Sequence, residues 1–265
     1  MTEWIRLPHQ IRETLRAVSL PENRGELKES FFRGTALFRE FAERDPLGLT
    51  VLGLYLDWME DTRDRYEALG IPESCFRDSM KDITIWCEDH LEQFGKPGFL
   101  EWDWVGRSLR LEVIRIGRLQ FEPTVLPREA EGNGRRYLAG TPMLDVHIPA
   151  GEPLDTEAAL AAMNRAPEFF RRYFHREFPL LHCHSWLLGP ELKEVLPEGS
   201  RILRFQNLFT VYQTDHLHRQ AEERIFGFLS DDAGRYPEGT SLQRAAKGYL
   251  LEGKAFSMGA GIRET

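Results

Sequence analysis

The sequence predicts an α+β protein, with a helical N-terminal domain over residues 1–116 and a mixed α/β domain over residues 117–265. Apolar residues recur at helical spacing through most of the first hundred positions, and Gly and Pro clusters separate the segments. Residues 144–186 instead show a strand, a turn, a long amphipathic helix and a second strand. This order is typical of a right-handed βαβ unit with two parallel strands, so it predicts the centre of the second domain.

The N-terminal domain is predicted to be a series of helices. They cover residues 9–18, 22–44 and 47–59, then a charged run at 60–65 that continues the third helix or begins the next, a helix that starts at Pro72, and one from Trp102. Pro72 suits the start of a helix because its fixed φ is already helical and its missing N–H needs no partner there. Apolar residues keep helical spacing as far as Ile116, so the last helix is expected to give way near Gly117 to a strand at 118–122.

The C-terminal domain is predicted to continue with a loop or hairpin tip at 128–142 and the βαβ unit. Its strands are placed at 144–148 and 181–186, and Asp155 or Thr156 is expected to cap its helix, which Pro167 kinks or splits. The remaining predicted elements are a short helix at 191–196, strands at 201–205 and 209–212, helices at 215–226 and 241–251, and an extended piece at 255–262. The Gly-Ala-Gly at 259–261 reads as a frayed end.

Composition limits the class of protein. A hydrophobic content of 42% with 29% charged residues is typical of a globular protein that is neither disordered nor embedded in a membrane. No apolar run approaches the ~20 residues that span a bilayer, and residues 1–6 do not resemble a secretory signal. The three cysteines are widely spaced, which fits reduced thiols in the cytoplasm. The formal charge of −8 argues against a nucleic-acid partner.

The densest group of reactive side chains lies on the two predicted strands of the βαβ unit. Strand alternation places Asp145 and His147 on one face of the first strand. It places His182, His184 and Trp186 on one face of the second. If the strands are neighbours, three imidazoles and a carboxylate meet near their carboxyl ends, where open α/β sheets commonly bind ligands.

This group allows several chemical interpretations. His147 or His184 can act as a general base, because histidine titrates near neutral pH. The three histidines at 147, 182 and 184 can instead bind one metal ion. Cys183 as a nucleophile is disfavoured, since strand alternation points it to the opposite face. The structural alternative is that these are buried histidines bonded to the backbone or to Asp145.

A second set of polar residues lies further along the chain. Arg204 and Gln206 occupy alternate positions of a predicted strand, where they can bind an anionic or carbonyl group or make structural hydrogen bonds. His216 and His218 fall at a predicted helix start. Residues i and i+2 of a helix do not share a face, so a metal pair is not expected there.

Five stretches of the second half resemble a bacterial family of acyltransferase-domain proteins. They are GRLQFEP at 117–123, VHIP at 146–149 with Gly151 and Pro153-Leu154, CHSWLL at 183–188, ILRF at 202–205 and TSLQRA at 240–245. That family has a helical N-terminal domain followed by a domain like the GCN5-related N-acetyltransferases (GNAT). The resemblance therefore implies a GNAT-like fold for residues 117–265 and N-acyl transfer from an acyl-CoA to a small-molecule amine.

The resemblance also implies where acyl-CoA or acetyl-CoA binds. In the GNAT fold the turn and helix that follow the first central strand hold the cofactor, which here selects Ile148, Ala150, Gly151 and Leu154. The usual turn reads Arg/Gln-x-x-Gly-x-Gly/Ala. This chain has PAGEPL at 149–154, which lacks the first basic residue and the second glycine.

The expected roles follow from position on the strands. His147 or Glu122 is the base that deprotonates the amine, and His184 or Ser185 lies near the leaving thiolate. The acceptor is expected to contact residues from the second strand and the strand after it, namely His182, Trp186, Arg204 and Gln206. No metal is expected in this mechanism. The alternatives are a GNAT-like binding module without catalysis and a metal-dependent hydrolase that uses the histidines.

Overall fold

The computed structural model describes residues 5–132 and 134–265 of the chain. These form two compact units, one of Met1–Ile116 with Pro149–Gly151 and one of Gly117–Ile148 with Glu152–Thr265. Residues 1–4, part of the stretch that was not expected to be a secretory signal, lie outside the described residues. In the described part of the chain, the helices are too short or too polar to span a bilayer.

The first unit is helical, as predicted. Its elements are α1 (His9–Leu15), α2 (Arg24–Arg33), α3 (Ala36–Ala42), α4 (Leu49–Asp57), α5 (Met59–Ala68), α6 (Glu73–Phe94), α7 (Trp102–Leu109) and a short strand, β1 (Ile114–Ile116). Pro72 directly precedes α6, as its restricted φ led us to expect. The aromatic ring of Phe31 lies at the centre of this unit, 4.9–5.3 Å from the rings of Phe38, Tyr55 and Trp58.

Two helix predictions in this unit are wrong. The single helix predicted at 22–44 is two helices, because Gly34 ends α2 with a φ of 67° and Thr35 is extended. A positive φ is easy for glycine and breaks the run of helical hydrogen bonds. The helix predicted from Trp102 towards Ile116 stops at Leu109, and Leu111 takes a φ of 61° before β1 begins.

The second unit mixes strands and helices, which confirms the predicted α+β class. Its elements are β2 (Leu119–Val125), β3 (Ala130–Gly132), β4 (Arg135–Tyr137), β5 (Pro142–His147), α8 (Thr156–Phe174), β6 (Leu180–Ser185), α9 (Leu192–Val195), α10 (Arg201–Gln206), β7 (Thr210–Asp215), α11 (Gln220–Phe226), α12 (Ser241–Leu251) and β8 (Met258–Glu264). The β3–β4 hairpin occupies the region predicted as a loop or hairpin tip. Asn133 lies outside the described residues.

Five strands of this unit form one sheet in the order β2-β5-β6-β8-β7. β5 and β6 are parallel neighbours joined by α8, so the predicted βαβ unit is confirmed. The other neighbouring pairs are antiparallel. The Asp155 carboxylate caps α8 by accepting the Ala158 N–H at 2.8 Å, and the helix runs past Pro167 without being split.

Three predictions for this unit are wrong. The strand predicted at 201–205 is the helix α10, because Ser200 caps its start and the short apolar run suits either element. The helix predicted from residue 215 begins at Gln220, since β7 extends to Asp215, and this leaves His216 and His218 in a loop. The Gly-Ala-Gly at 259–261 is an interior part of β8 rather than a frayed end.

The glycines of β8 allow its close packing between β6 and β7. A Cβ atom on Gly259 would overlap the backbone carbonyl of Leu188, and one on Gly261 would lie 2.9 Å from Cβ of Phe209. Both positions are buried. Because these glycines have no side chain, the backbone of the 186–188 turn, which follows β6, packs directly against the sheet.

Candidate active site

The two parallel strands of the βαβ unit separate at one end. Their pairing joins Met143 to Leu180, Leu144 to Leu181 and Asp145 to His182, and it ends there. β5 nevertheless continues to His147, and β6 to Ser185. Backbone groups at a sheet opening need other partners, so this opening suits an extended ligand with amide groups of its own.

Asp145 and His182 form the innermost pair at this opening. The Asp145 Oδ1 atom lies 2.8 Å from Nδ1 of His182, and the other ring nitrogen, Nε2, lies 3.1 Å from the hydroxyl of Tyr212. His182 is only 4% exposed. Because an ionised carboxylate only accepts hydrogen bonds, Nδ1 of His182 carries a proton.

His147 lies between two carboxylates at the end of β5. Its Nε2 is 3.1 Å from Oε2 of Glu122 and 3.9 Å from Oδ2 of Asp145, and all three side chains are half-buried. Glu122 reaches this position because β2 pairs it directly with Asp145. Two neighbouring carboxylates stabilise an imidazolium, which is the state of a histidine that has accepted a proton.

His184 forms a separate pair with Asp215 of β7. Its Nε2 lies 3.0 Å from Oδ2 of Asp215, and its side chain is 38% exposed. Burial alone would raise the pKa of Asp215, but the Leu217 N–H and His184 both donate to the carboxylate, and together they lower that pKa below its usual value. His184 is the most exposed of the three histidines of the site.

The lowered pKa of Asp215 gives a pH-dependent stability. A carboxyl group whose folded-state pKa lies below its unfolded value stabilises the fold above the unfolded pKa, and this stabilisation disappears as pH falls through the folded pKa. We therefore expect Asp215→Asn to lower the free energy of unfolding at pH 7 and the difference from wild type to shrink under acid conditions. Denaturant unfolding of both proteins between pH 7 and pH 3 measures this; a constant difference across the range would contradict it.

The three histidines share a sheet face, as predicted, but they do not form one metal site. Across the described residues, the group of at least three metal-type ligand atoms within 4.8 Å of one another belongs to Glu122, Asp145 and His147. His182 and His184 are outside that group; His182 shares Asp145 with it, and His184 pairs with Asp215. A metal held jointly by the three histidines, one of the alternative interpretations, is therefore not supported, because His184 pairs with Asp215.

Cys183 and Ser185 alternate with the histidines along β6 and point to the opposite face, whereas Trp186, predicted on the histidine face, lies beyond the end of the strand. Cys183 is buried with a free thiol, and burial raises its pKa well above the usual value, which leaves it a poor nucleophile. The hydroxyl of Ser185 is also buried and accepts the Leu187 N–H at 3.2 Å. Trp186 packs partly buried against the apolar cluster of α9–α12. Ser185 thus has a structural partner already.

The predicted acceptor contacts on α10 divide into one buried and one exposed residue. Gln206 is 4% exposed, and its amide donates to the carbonyl oxygens of Leu187 at 3.3 Å and Gly189 at 2.8 Å. It therefore holds the turn after β6. Arg204 is exposed on the same helix. The structure does not bring either of them together with the histidines through a hydrogen bond.

The turn before α8 is organised by a buried arginine. Arg118 Nε donates to the carbonyl oxygen of Pro153 at 3.0 Å, and its Nη2 donates to that of Glu152 at 2.7 Å. Ile148 and Leu154 flank this turn in the second unit, both half-buried, whereas Ala150 and Gly151 cluster with the first unit. A basic side chain therefore reaches the turn from the start of β2, although the turn itself has none.

Sequence reasoning missed three residues of this region. They are Arg118, Tyr212 and Asp215, which the fold brings to the turn, to His182 and to His184. Arg118 follows Gly117 in the stretch at 117–123 that resembles the acyltransferase family, and this resemblance was the available signal. Tyr212 and Asp215 lay in a strand whose neighbours could not be known from sequence, so no signal pointed to them.

Two known family models match this chain, one in each half. A family model described as a GNAT-like C-terminal domain matches residues 113–263, and one described as an N-acyltransferase N-terminal domain matches residues 1–111. No curated protein matched the sequence.

Solved structures with the same fold are acyltransferases. One, in complex with decanoyl-CoA, has a TM-score of 0.79 and 22% identity over 99% of this chain and 86% of its own. A complex with decanoyl-CoA and teicoplanin has a TM-score of 0.72, and a mutant acyltransferase in complex with octanoyl-CoA has 0.73. Each of these two is 22% identical over 100% of this chain and 91% of its own. At this identity the likeness shows a common fold.

Proposed function

Since the chain belongs to the family with a GNAT-like C-terminal domain, we propose that it is an N-acyltransferase that moves an acyl group from acyl-CoA to an amine of a small molecule. The observation that carries this proposal is the opening between β5 and β6, with His147 and His184 on the strands beyond the last paired residues. The fold neighbours that contain decanoyl-CoA and octanoyl-CoA support acyl-CoA as the donor.

The opening and the start of α8 fit the two ends of acyl-CoA. Pantetheine carries amide groups that can pair with strand backbone beyond Asp145 and His182, next to Ile148. The N-terminus of α8 presents backbone N–H groups and the positive end of a 19-residue helix, which favours a diphosphate. Ala150 and Gly151 as cofactor contacts stay predictions.

Arg118 prepares the turn for this role. It holds the carbonyl of Pro153, and a trans peptide points its N–H away from its carbonyl. The Leu154 N–H is therefore directed away from Arg118. This orientation supports Leu154 as a backbone donor to the cofactor, even though Pro153 itself has no N–H to offer.

The histidines then supply the proton transfers. His147 accepts a proton from the amine as its nitrogen attacks the thioester carbonyl, and Glu122 and Asp145 stabilise the resulting imidazolium. A C–N bond forms and the C–S bond breaks. His184, held by Asp215, donates a proton to the departing thiolate, so that one proton passes overall from the amine to sulfur. Ser185 has no part in this scheme, because its hydroxyl caps the next turn.

Ligand-dependent thermal denaturation tests the donor. A ligand that binds only the folded state raises the midpoint, and at a hundredfold excess over Kd it adds about 2.7 kcal/mol. We expect CoA, acetyl-CoA and octanoyl-CoA to raise the midpoint by several degrees, with the largest shift for a thioester. ATP serves as the control for general binding of phosphate groups. No shift with any thioester at saturating concentration would contradict acyl-CoA as the donor.

The alternative functions have less support. A metal-dependent hydrolase was based on the three histidines as joint ligands, and His184 lies with Asp215 instead. A binding module without catalysis would not need imidazoles paired with carboxylates at the strand opening. A cytoplasmic location stays a prediction; the free thiols of Cys75, Cys87 and Cys183 support it.

A further inference from the structure

We propose that Tyr212, His182 and Asp145 form a hydrogen-bonded chain that positions His147 for proton transfer. This inference rests on the proposed function, because it assigns a role to residues behind the proposed base. Tyr212, His182 and Asp145 come from β7, β6 and β5, and His147 follows Asp145 on the same strand face. These three are positioning residues, since they act through His147 rather than on the acyl group.

The direction of the chain follows from its donors and acceptors. The Asp145 carboxylate accepts from Nδ1 of His182 at 2.8 Å, so Nε2 of a neutral His182 is an acceptor. The Tyr212 hydroxyl, 3.1 Å from Nε2, must then be the donor. The chain therefore runs from Tyr212 through His182 to one oxygen of Asp145. The second oxygen of that carboxylate faces His147 at 3.9 Å.

The position of Tyr212 supports this role. The pairing of β7 with β8 is regular on both sides of Tyr212 but shifts between Val211 and Gln213, so Tyr212 is the extra residue of a β-bulge. A bulge turns a side chain away from the regular alternation of a strand and is common near active sites. Here the ring of Tyr212 lies 6.0 Å from that of His182, although β8 separates their strands.

Burial and the surrounding charges keep the Tyr212 hydroxyl protonated, so it can donate a hydrogen bond. Burial raises the pKa of Tyr212, Arg128 acts in the opposite direction, and the charge of Asp145 raises it further. The net pKa is above the usual value, so the hydroxyl keeps its proton at neutral pH. The titratable groups that face His147 include Glu122 from β2, Asp145 from its own strand and, through Asp145, His182.

The hydrogen-bonded chain of Tyr212, His182 and Asp145 explains how His182 can be buried. A buried polar side chain is costly unless its hydrogen bonds are satisfied, and both ring nitrogens of His182 have partners. With Nδ1 of His182 bound to it, Asp145 is fixed in one rotamer. The same carboxylate is then held beside His147, where it can stabilise positive charge as the imidazole accepts a proton.

The test compares two tyrosines that pack against the same apolar cluster. Tyr212 and Tyr137 are both partly buried against the cluster of Leu126, Ala130, Met143, Leu180 and Ile262, and Tyr137 donates to Glu264 at 2.6 Å. We expect Tyr212→Phe to lower kcat about tenfold with KM for acyl-CoA and amine within twofold of wild type. Tyr137→Phe loses a comparable hydroxyl away from the site and keeps the wild-type kcat.

Two variants of His182 provide a second readout. His182→Asn keeps a donor close to the position of Nδ1 and is expected to retain several times more kcat than His182→Ala. A kcat within twofold of wild type for both Tyr212→Phe and His182→Ala would overturn the chain, as would a change in KM alone. A wild-type protein without any acyl transfer would instead overturn the proposed function.

The hydrogen-bonded chain can also be tested by a measurement that does not depend on acyl transfer. In protein labelled with ¹⁵N at histidine, NMR distinguishes the two tautomers of a neutral ring. We expect His182 with a protonated Nδ1 and an unprotonated Nε2, and a changed Nε2 signal in Tyr212→Phe. The opposite tautomer, or an Nε2 signal that does not respond to Tyr212→Phe, would contradict the chain even if the enzyme is inactive.

Discussion

Replacing His147 by alanine is expected to lower kcat for acyl transfer about a thousandfold, since general-base catalysis contributes roughly 10²- to 10⁴-fold. His147 is the half-buried imidazole that two carboxylates flank at the strand opening, 3.1 Å from Glu122 and 3.9 Å from Asp145. Without it, no group held at that position takes the proton of the amine. KM for acyl-CoA should change little, because the pantetheine and diphosphate contacts are elsewhere.

Initial rates of CoA release at saturating acyl-CoA and amine measure this effect. His9→Ala is the matched control, since His9 is an exposed histidine of the helical unit, and it should keep the wild-type rate. Glu122→Gln should show a smaller loss, because Asp145 still stabilises the imidazolium. A His147→Ala variant within fivefold of wild-type kcat would show that another group is the base.

The second large effect concerns the stability of the sheet. Gly259→Ala places a Cβ atom against the backbone carbonyl of Leu188, and backbone cannot rotate away as a flexible side chain can. Either β8 or the 186–188 turn must shift, which we expect to cost about 3 kcal/mol, at the upper end for added atoms in a packed interior. Because Gly259 pairs with Ser185, the shift would also disturb the end of β6 beside His184.

Gly248 offers the matched control for this change. It lies inside α12, and a Cβ atom there would meet nothing within 4 Å. Gly248→Ala should therefore stabilise the protein by roughly 0.5–1 kcal/mol, because alanine loses less conformational freedom in a helix. Urea unfolding followed by circular dichroism compares the two. Equal midpoints for Gly259→Ala and wild type would mean that β8 does not need glycine at this position.

The sequence predicted those parts of the fold that depend on local pattern. The βαβ unit was predictable because apolar residues repeat with a different period in a strand and in a helix. The crossover rule then makes the two strands parallel. The same alternation placed His147, His182 and His184 on one face and Cys183 on the other. The cap of α8, Asp155, was one of the two residues predicted for it, because capping is also local.

The rest of the fold and site depends on contacts between distant segments. The helix α10 was predicted as a strand because a short run with apolar Ile202, Leu203 and Phe205 fits both elements, and tertiary packing decides between them. The partners of the histidines could not be predicted, since Tyr212 and Asp215 lie on β7, which reaches the site across β8. The separate pairing of His184 with Asp215 could not be predicted for the same reason.

The most direct test of acyl transfer is amine-dependent release of CoA from octanoyl-CoA by the wild-type protein. A panel of small primary amines is added at high concentration, and the free thiol and the amide product are both measured. The proposed function predicts thiol and amide in equal amounts, with a rate that rises with amine concentration and is lost in His147→Ala. Thiol release that does not depend on any amine, or that persists unchanged in His147→Ala, would contradict it.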